Sequence, residues 1–567
     1  MKRDSRRAVP LAVSRAVPRV VVALVLSVSS AAAGADLFPQ AGRYLAAVRA
    51  FADTVLARGR DVYGQKKTPL FVDGLHAKRL TPVRWPCRGQ TWVLCNVASQ
   101  QPLLRVLDGL TALSGQGKYA GAAEDAARYA LANIQSPNGL LYWGGHLAWD
   151  LQHDKPVGQY RDVHELKTHQ PYYRLMWRVD RVRTAKLLAA VWAGHILDWS
   201  LLDYNRHASV RSTRGAKWDG EFKQDIAVPF PAKGGNLSFA NVTPPLLHSG
   251  TTLAVLGKHD RALLWTRRLV TRWQQGKDAT TGLCGGQLSY RKHDRAKDAL
   301  GHVHPGINEA KVVASYHQVS RYHRLPLAQM QAGESLIAAG GRRADVGREF
   351  IRWASEDLKI YARHCYDAKT GRFVAKMTDG TVIQWQEAKT GYYIPASFAP
   401  RRPDGTLFWG YAMAWRLTRD EAHWTMARRI AETSGLGDIG QPDGRRKLRS
   451  DTSHAGWQTI YTLLELHRGT EDSDILRLAC RVADNILKTQ AKTGLFPRSG
   501  RKYARTGDEA PLAILHLAAA ITGKRSAMPQ AILDARFFHC EYHGKLAKHQ
   551  QKRADKRTYD NLVFYGW

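Results

Sequence analysis

Residues 122–140 read AAEDAARYALANIQSPNGL. Ala123, Ala126, Ala127, Ala130, Leu131 and Ile134 recur at steps of three and four, which predicts a helix from Ala122 to Ile134 with one apolar face. The helix runs out in Gln135, a short polar turn follows, and Gly139 and Leu140 close the stretch. Glycine just past a helix takes the left-handed backbone that other residues resist. The apolar residue after it can fold back onto the helix end. The same ending recurs at Thr281-Gly282-Leu283, Thr370-Gly371-Arg372-Phe373, Thr390-Gly391-Tyr392 and Thr493-Gly494-Leu495-Phe496. A chain punctuated in this way reads as a series of helical hairpins.

Working outward, apolar residues at helical spacing also mark Ala41 to Leu56, Pro102 to Leu113, Thr184 to Leu202, Asp260 to Gln275, Gly347 to Tyr366, Leu407 to Thr433, Trp457 to His467 and Ile475 to Gln490. Alternating strand patterns are few, with Val382 to Trp385 and Asn561 to Trp567 the best of them. The expected fold class is therefore all-α with few short strands. Hairpins would form the two rings of an (α/α) toroid, and the loops at one mouth would carry the site. An open helical solenoid uses the same hairpins, but the turns vary in length and no fixed period is visible. No linker divides the chain, since helical pattern resumes directly after the irregular Pro395 to Gly405. One catalytic domain is expected over residues 36–567, with a basic C-terminal extension from about residue 538, densest between Lys545 and Arg557.

Hydrophobic residues make up 44% of the chain, enough for a packed core and too many for a disordered one. Residues 1–35 have the layout of a signal peptide. Lys2, Arg3, Arg6, Arg7, Arg15 and Arg19 lead, Val20 to Val28 is apolar, and Ala33-Gly34-Ala35 fits a cleavage site. The apolar run is shorter than the roughly 20 residues of a spanning helix. Nothing later is apolar enough to span, so no stable membrane insertion is expected after signal removal. The protein is expected to be exported, either periplasmic or secreted. Its formal net charge of +35 suits a polyanionic partner. An exported protein meets acidic polysaccharide rather than nucleic acid. Of the six cysteines only Cys87 and Cys95 lie close in sequence, and export permits a disulfide between them.

Three separated pieces carry the chemistry: WGGHLAWD at 143–150, RDVHELKTHQPYYRL at 161–175 and HILDWSLLDYNRH at 195–207. His146 and His207 offer imidazoles and Glu165 a carboxylate, a set that suits a divalent metal with positions left open. Gly144-Gly145 would let the backbone come close to a ligand. The neighbours His164 and Glu165 cannot point the same way, so His164 is assigned a supporting part. Arg206 is placed to meet a substrate carboxylate held at the ion, and Lys167, His169 and Tyr172 are candidates to grip neighbouring sugars. Cleaving a uronate chain without water needs such parts. Taking the proton alpha to a carboxylate leaves extra negative charge, which cations must neutralise while a base removes the proton. The polar run from His293 to Lys311 could line the mouth. Arg401, Arg402, Asp404, Trp409 and Tyr411 form a further candidate sugar subsite. No phosphate loop, nucleophile elbow or dinucleotide fingerprint is found.

Taken together, GGH at His146, HE at His164-Glu165 and NRH at Asn205-Arg206-His207 resemble the polysaccharide lyase family 2 pectate lyases over roughly residues 140–210. The resemblance implies an (α/α)7 toroid and cleavage of polygalacturonate, or a related polyuronate, by β-elimination. It implies a divalent metal, Mn2+ or Ca2+ ahead of other ions, on His146, Glu165 and His207, with Arg206 as the catalytic base. Free arginine stays protonated to a pKa of about 12.5 or above, so that role implies help from neighbouring cations and alkaline conditions. Two other readings remain. One is a glycoside hydrolase on a similar toroid, using paired carboxylates such as Asp150 with Asp162 or Asp203. The other is a non-catalytic binder that holds acidic glycan by charge alone.

Overall fold

The computed structural model describes residues 37–532 and 558–565, apart from 88, 159–161, 167–168, 213, 234–236 and 316–319. The signal peptide expected at 1–35, the basic run Lys545 to Arg557 and the candidate sugar contact Lys167 lie outside the described residues.

Fourteen of the described helices build two rings. The outer ring holds α1 (Phe38–Arg58), α3 (Gly117–Tyr129), α5 (Arg181–His195), α7 (Asp260–Gln275), α9 (Gly341–Cys365), α11 (Glu421–Thr433) and α13 (Ser473–Leu487). The inner ring holds α2 (Gln101–Ser114), α4 (Tyr173–Val179), α6 (Thr243–Leu256), α8 (Leu325–Ala339), α10 (Gly405–Thr418), α12 (Trp457–Thr470) and α14 (Ala510–Ile521). Successive inner helices from α4 to α14 pack side by side, and α14 returns to pack on both α1 and α2. The seam between α2 and α4 is bridged by polar contacts. Arg105 Nη2 donates to Gln170 O at 2.9 Å, and the Tyr172 amide donates to Gln101 Oε1 at 2.6 Å. The ring is therefore closed at seven hairpins. A solenoid, which has free ends, is excluded.

Burial bears on which helices are visible in the sequence, although the pattern also marks the inner α2, α10 and α12. Outer helices have one solvated face, so α13 buries Ile475, Leu476, Leu478, Ala479, Val482, Ala483 and Ile486 while Arg477 and Asp474 face out. Inner helices are enclosed on all sides. In α14 every residue except His516 is buried, and α6 and α8 are nearly as apolar. A helix buried all round has no amphipathic period to detect, and α6, α8 and α14 escaped the pattern for that reason.

Connector length polarises the molecule. The six inner-to-outer connectors are short: 115–116, 180, 257–259, 340, 419–420 and 471–472. The connectors that precede each inner helix are long: 59–100, 130–172, 196–242, 276–324, 366–404, 434–456 and 488–509. All the long connectors enter inner helices, so they gather at one mouth. Every candidate catalytic or metal-binding residue sits in them. The Gly turns of the opening motif begin four of these connectors, with left-handed φ at Gly139, Gly282, Gly371 and Gly494, and Gly391 is the exception.

Several local expectations are corrected. The helix expected from Thr184 to Leu202 stops at His195, and Ile196–Asp198 becomes a strand paired with Asp203–Tyr204. The helix expected from Leu407 to Thr433 is two, broken where Arg419 takes φ +58°. In place of a strand at Val382 to Trp385 there is an isolated bridge from Val382 to Lys376, followed by a 3-10 turn that begins at Trp385. Asn561–Tyr565 is a wide helical turn, not a strand. Its coil puts Phe564 in a cluster with Trp85, Trp92 and Tyr559. Cys87 and Cys95 are thiols and not a disulfide. Cys87 ends a strand paired to Gln90–Trp92, whereas Cys95 pairs with Trp149 in another sheet and is buried.

Candidate metal centre

Three chain segments lie side by side at the mouth. Strand β1 (Val163–Glu165) pairs antiparallel with β2 (His207–Ser209), so that Glu165 sits opposite His207 and His164 opposite Ala208. Directly opposed residues on paired strands project to the same face, which aims Glu165 and His207 together and His164 away. On the other flank Gly144 forms a parallel bridge to Glu165, and Gly145 N donates to Glu165 O at 3.3 Å. Gly144 has φ +114°, and a Cβ there would lie 2.5 Å from Glu165 O. The close approach expected of this glycine pair is thus to the neighbouring strand, and it is what brings His146 beside Glu165.

The ligand atoms converge as a triangle. His146 Nε2 lies 3.2 Å from His207 Nε2 and 3.3 Å from Glu165 Oε2, and His207 Nε2 lies 3.5 Å from Glu165 Oε1. These edges provide a fit test for a metal. Imidazole and carboxylate ligands about 2.0–2.2 Å from an ion are separated by about 2.8–3.6 Å when they subtend right or tetrahedral angles. All three edges fall in that window, and His146, Glu165 and His207 are the metal-capable cluster found among the described residues. Glu165 is fully buried, whereas the side chains of His207 and Arg206 are 31% and 32% exposed. The triangle is therefore open to solvent on the side of His207 and Arg206. Arg206 Nε stands 3.4 Å from Glu165 Oε1, and its guanidinium lies over the Phe239 ring at 5.8 Å.

Behind the triangle runs a buried relay that the sequence did not reveal. Trp143 Nε1 donates to His164 Nε2 at 2.9 Å. An indole can only donate, so neutral His164 must carry its proton on Nδ1, which faces His195 Nε2 at 2.8 Å. His195 then carries its proton on Nδ1 and donates to Asn205 O at 2.7 Å. Each tautomer follows from the one before. Burial, and then the neighbouring His195 and His169, hold His164 far below the usual imidazole range. Burial pulls His195 down to about 3, against the opposing effect of the Asn205 carbonyl. The relay grips the backbone one residue before Arg206 and two before His207. The sequence places His195 inside the helix expected from Thr184 to Leu202 and at the head of the third motif stretch, and gives it no part in the site.

The remaining candidates separate. His169 is buried edge-on to Trp143, with ring centroids 6.1 Å apart. Tyr172 is buried, its hydroxyl bonded to Asp108 and its ring 5.0 Å from the Arg105 guanidinium. It lines a cavity between inner helices with Arg105, His248 and Gln331. In the run from His293 to Lys311, Asp294 caps a short helix and Glu309 pairs with Arg291 at 3.0 Å, both as structural contacts. Trp409 and Tyr411 are core residues of α10, not sugar platforms. The carboxylates suggested for a hydrolase are engaged in other contacts, Asp162 by an ion pair with Arg211 at 2.9 Å. Asp150 accepts from Val93 N and Gln152 N, and Asp203 accepts from Lys233 N and the Ser238 hydroxyl.

The sequence pattern of the periplasmic pectate lyase family matches residues 68–541, a span that includes the whole triangle. The chain belongs to that family. As a member of the periplasmic pectate lyases it is a polysaccharide lyase. A curated relative, the pectate disaccharide-lyase of Dickeya dadantii (strain 3937), is 25% identical over 536 residues, covering 89% of this chain and 94% of that protein. Among solved structures, a D-mannose isomerase superposes with a TM-score of 0.40 at 11% identity, covering 72% of this chain and 89% of that one. A family 76 α-mannanase of Bacteroides thetaiotaomicron superposes at 0.39 with 10% identity, covering 85% and 96%. Both are too distant to bear on the chemistry of this lyase.

Proposed function

We propose that this lyase cleaves pectate by β-elimination, with His146, Glu165 and His207 holding a divalent cation and Arg206 acting as base. The observation that carries the reading is the triangle with edges of 3.2–3.5 Å beside a partly exposed arginine. Two imidazoles and one carboxylate favour a first-row transition ion such as Mn2+ over Ca2+, which prefers oxygen ligands. When bound, the ion would draw charge from the substrate carboxylate and so acidify the proton alpha to it.

The chain supplies the remaining parts. Arg206, the residue before β2, is partly exposed beside the triangle and is the base that would take the C5 proton. A cation held on Glu165 would share that carboxylate's charge and so weaken its ion pair with Arg206. As the proton is taken, the C4 oxygen leaves and the double bond forms, with no water consumed. Export to the periplasm is part of the same proposal and agrees with the leader-like residues 1–35.

The test is incubation with polygalacturonate and Mn2+ at alkaline pH, following absorbance of the unsaturated product. Activity is expected to disappear with chelator and to fall at least about 100-fold in Arg206→Ala. Products lacking the double bond would overturn the reading in favour of hydrolysis.

A further inference from the structure

We propose that a pocket lined by Arg372, Arg401 and Arg402 is a remote subsite for the carboxylates of a uronate chain, several sugars away from the bond that is cut. The proposal rests on the pectate reading above. The pocket lies at the long-connector mouth, has a volume of about 460 Å3, and is walled by Ser315 and His323 from the connector into α8 and by Arg372, Arg401, Arg402 and Asp404 from the connector into α10.

The arginines are aimed by backbone. Arg372 Nη1 donates to Pro400 O at 3.3 Å and Arg401 Nη2 donates to Ala396 O at 2.8 Å. Among the described residues Arg372 and Arg402 form no ion pair, although such pairs are numerous elsewhere in the chain. The acid that lines the pocket is already engaged. Asp404 Oδ1 accepts from Leu407 N at 2.8 Å and caps α10, while Oδ2 faces His323 Nδ1 at 3.2 Å. The result is a concave surface on which Arg372 and Arg402, beside the backbone-anchored Arg401, present guanidinium groups that no carboxylate of the described residues pairs with. Planar guanidinium forks match carboxylates in geometry as well as charge.

The position argues for a chain-length role. The triangle is built from the connectors into α4 and α6, the pocket from those into α8 and α10. Neighbouring packed helices stand about 8–10 Å apart, so the two sites are separated on the order of 20 Å around the mouth. One sugar cannot bridge that, but a polymer can. A contact so far from the reacting bond binds ground state and transition state alike, and so lowers KM without raising kcat. Since Trp409 and Tyr411 are in the core, the pocket reads charge and not sugar faces.

The test compares the full-length parent with the double variant Arg372→Gln/Arg402→Gln on trigalacturonate and on long polygalacturonate at low salt, with Arg402→Gln alone as a milder change. The polymer KM is expected to rise about 5- to 30-fold in the double variant, as two exposed charge contacts would give. Polymer kcat and both constants on the trimer are expected to stay unchanged. Unaltered polymer KM, or equal loss on both substrates, would overturn the subsite. If the parent cleaves no uronate, the lyase reading fails separately. The pocket is then judged by calorimetric titration with long oligogalacturonate, where weaker binding by the double variant supports it and equal binding overturns it.

Discussion

Replacing Glu165 with Gln separates the metal reading from a purely structural one. Gln keeps the shape of the side chain and removes the charge. In chelated protein the change is expected to cost little. Glu165 is fully buried and a buried carboxylate is expensive to desolvate. Its removal also frees Arg206, which is 32% exposed and can be solvated by water. The chelated variant should therefore melt at or above the parent's temperature. Added Mn2+ reverses the order. An ion at about 1,000 times its Kd stabilises the parent by about 4.1 kcal/mol. With an unfolding entropy of about 2.1 cal/mol/K per residue, that moves the melting point of a chain this long by about 3–4 °C. Losing the one charged ligand should weaken binding at least as much as losing a supporting contact, about 100-fold. At the same ion concentration the variant then gains only about 1.4 kcal/mol, or about 1 °C. The assay is a pair of calorimetric melts, with and without chelator, together with a direct Mn2+ titration. Equal metal-induced shifts in parent and Glu165→Gln would refute the assignment of this triangle as the metal centre.

Three further outcomes follow from the geometry. His195→Ala strands the buried His164 Nδ1–H and the Asn205 carbonyl. It should lower stability by about 1–3 kcal/mol and Mn2+ affinity by about 10- to 100-fold, read by urea melts and titration, and unchanged metal affinity would show that the relay does not position the site. Burial holds His195 and His248 down to about 3 and His516 down to about 4. Against an unfolded value of about 6.5, the unfolded chain takes up protons first, so stability should fall as pH drops from about 6.5 toward 3. The loss should reach about 2 kcal/mol per buried histidine by pH 5, and urea midpoints that stay level between pH 7 and 5 would contradict it. Ending the chain at residue 557 removes Tyr559 and Phe564 from the cluster that also holds Trp85, Trp92, Ala148 and Val157. Hydrogen exchange should then quicken in Leu147–Asp150 and Lys155–Gly158, with a loss of about 3–5 kcal/mol, and unchanged protection there would show that the turn at Asn561–Tyr565 is dispensable.

Much of this protein was legible in the sequence because the relevant signals are local. Outer helices such as α7 and α13 carry a periodic apolar face, since one side of each meets water. The glycines at 139, 282, 371 and 494 punctuate helix ends through a backbone preference that needs no partner. The triplet His146, Glu165 and His207 stood out by residue type. Other features belong to the closed fold alone. The inner helices α6, α8 and α14 have no polar face to set a period. Closure at seven hairpins depends on how the last helix meets the first. The relay through Trp143, His164, His195 and Asn205 joins residues of the three motif stretches, but their pairing and tautomers arise only where those stretches meet. The arginine pocket draws Arg372 beside Arg401 and Arg402 across a loop of nearly thirty positions. Side-chain chemistry and helical period are properties of a short stretch of chain, whereas burial, tautomer and the convergence of charge are set only when distant segments share one dry interior.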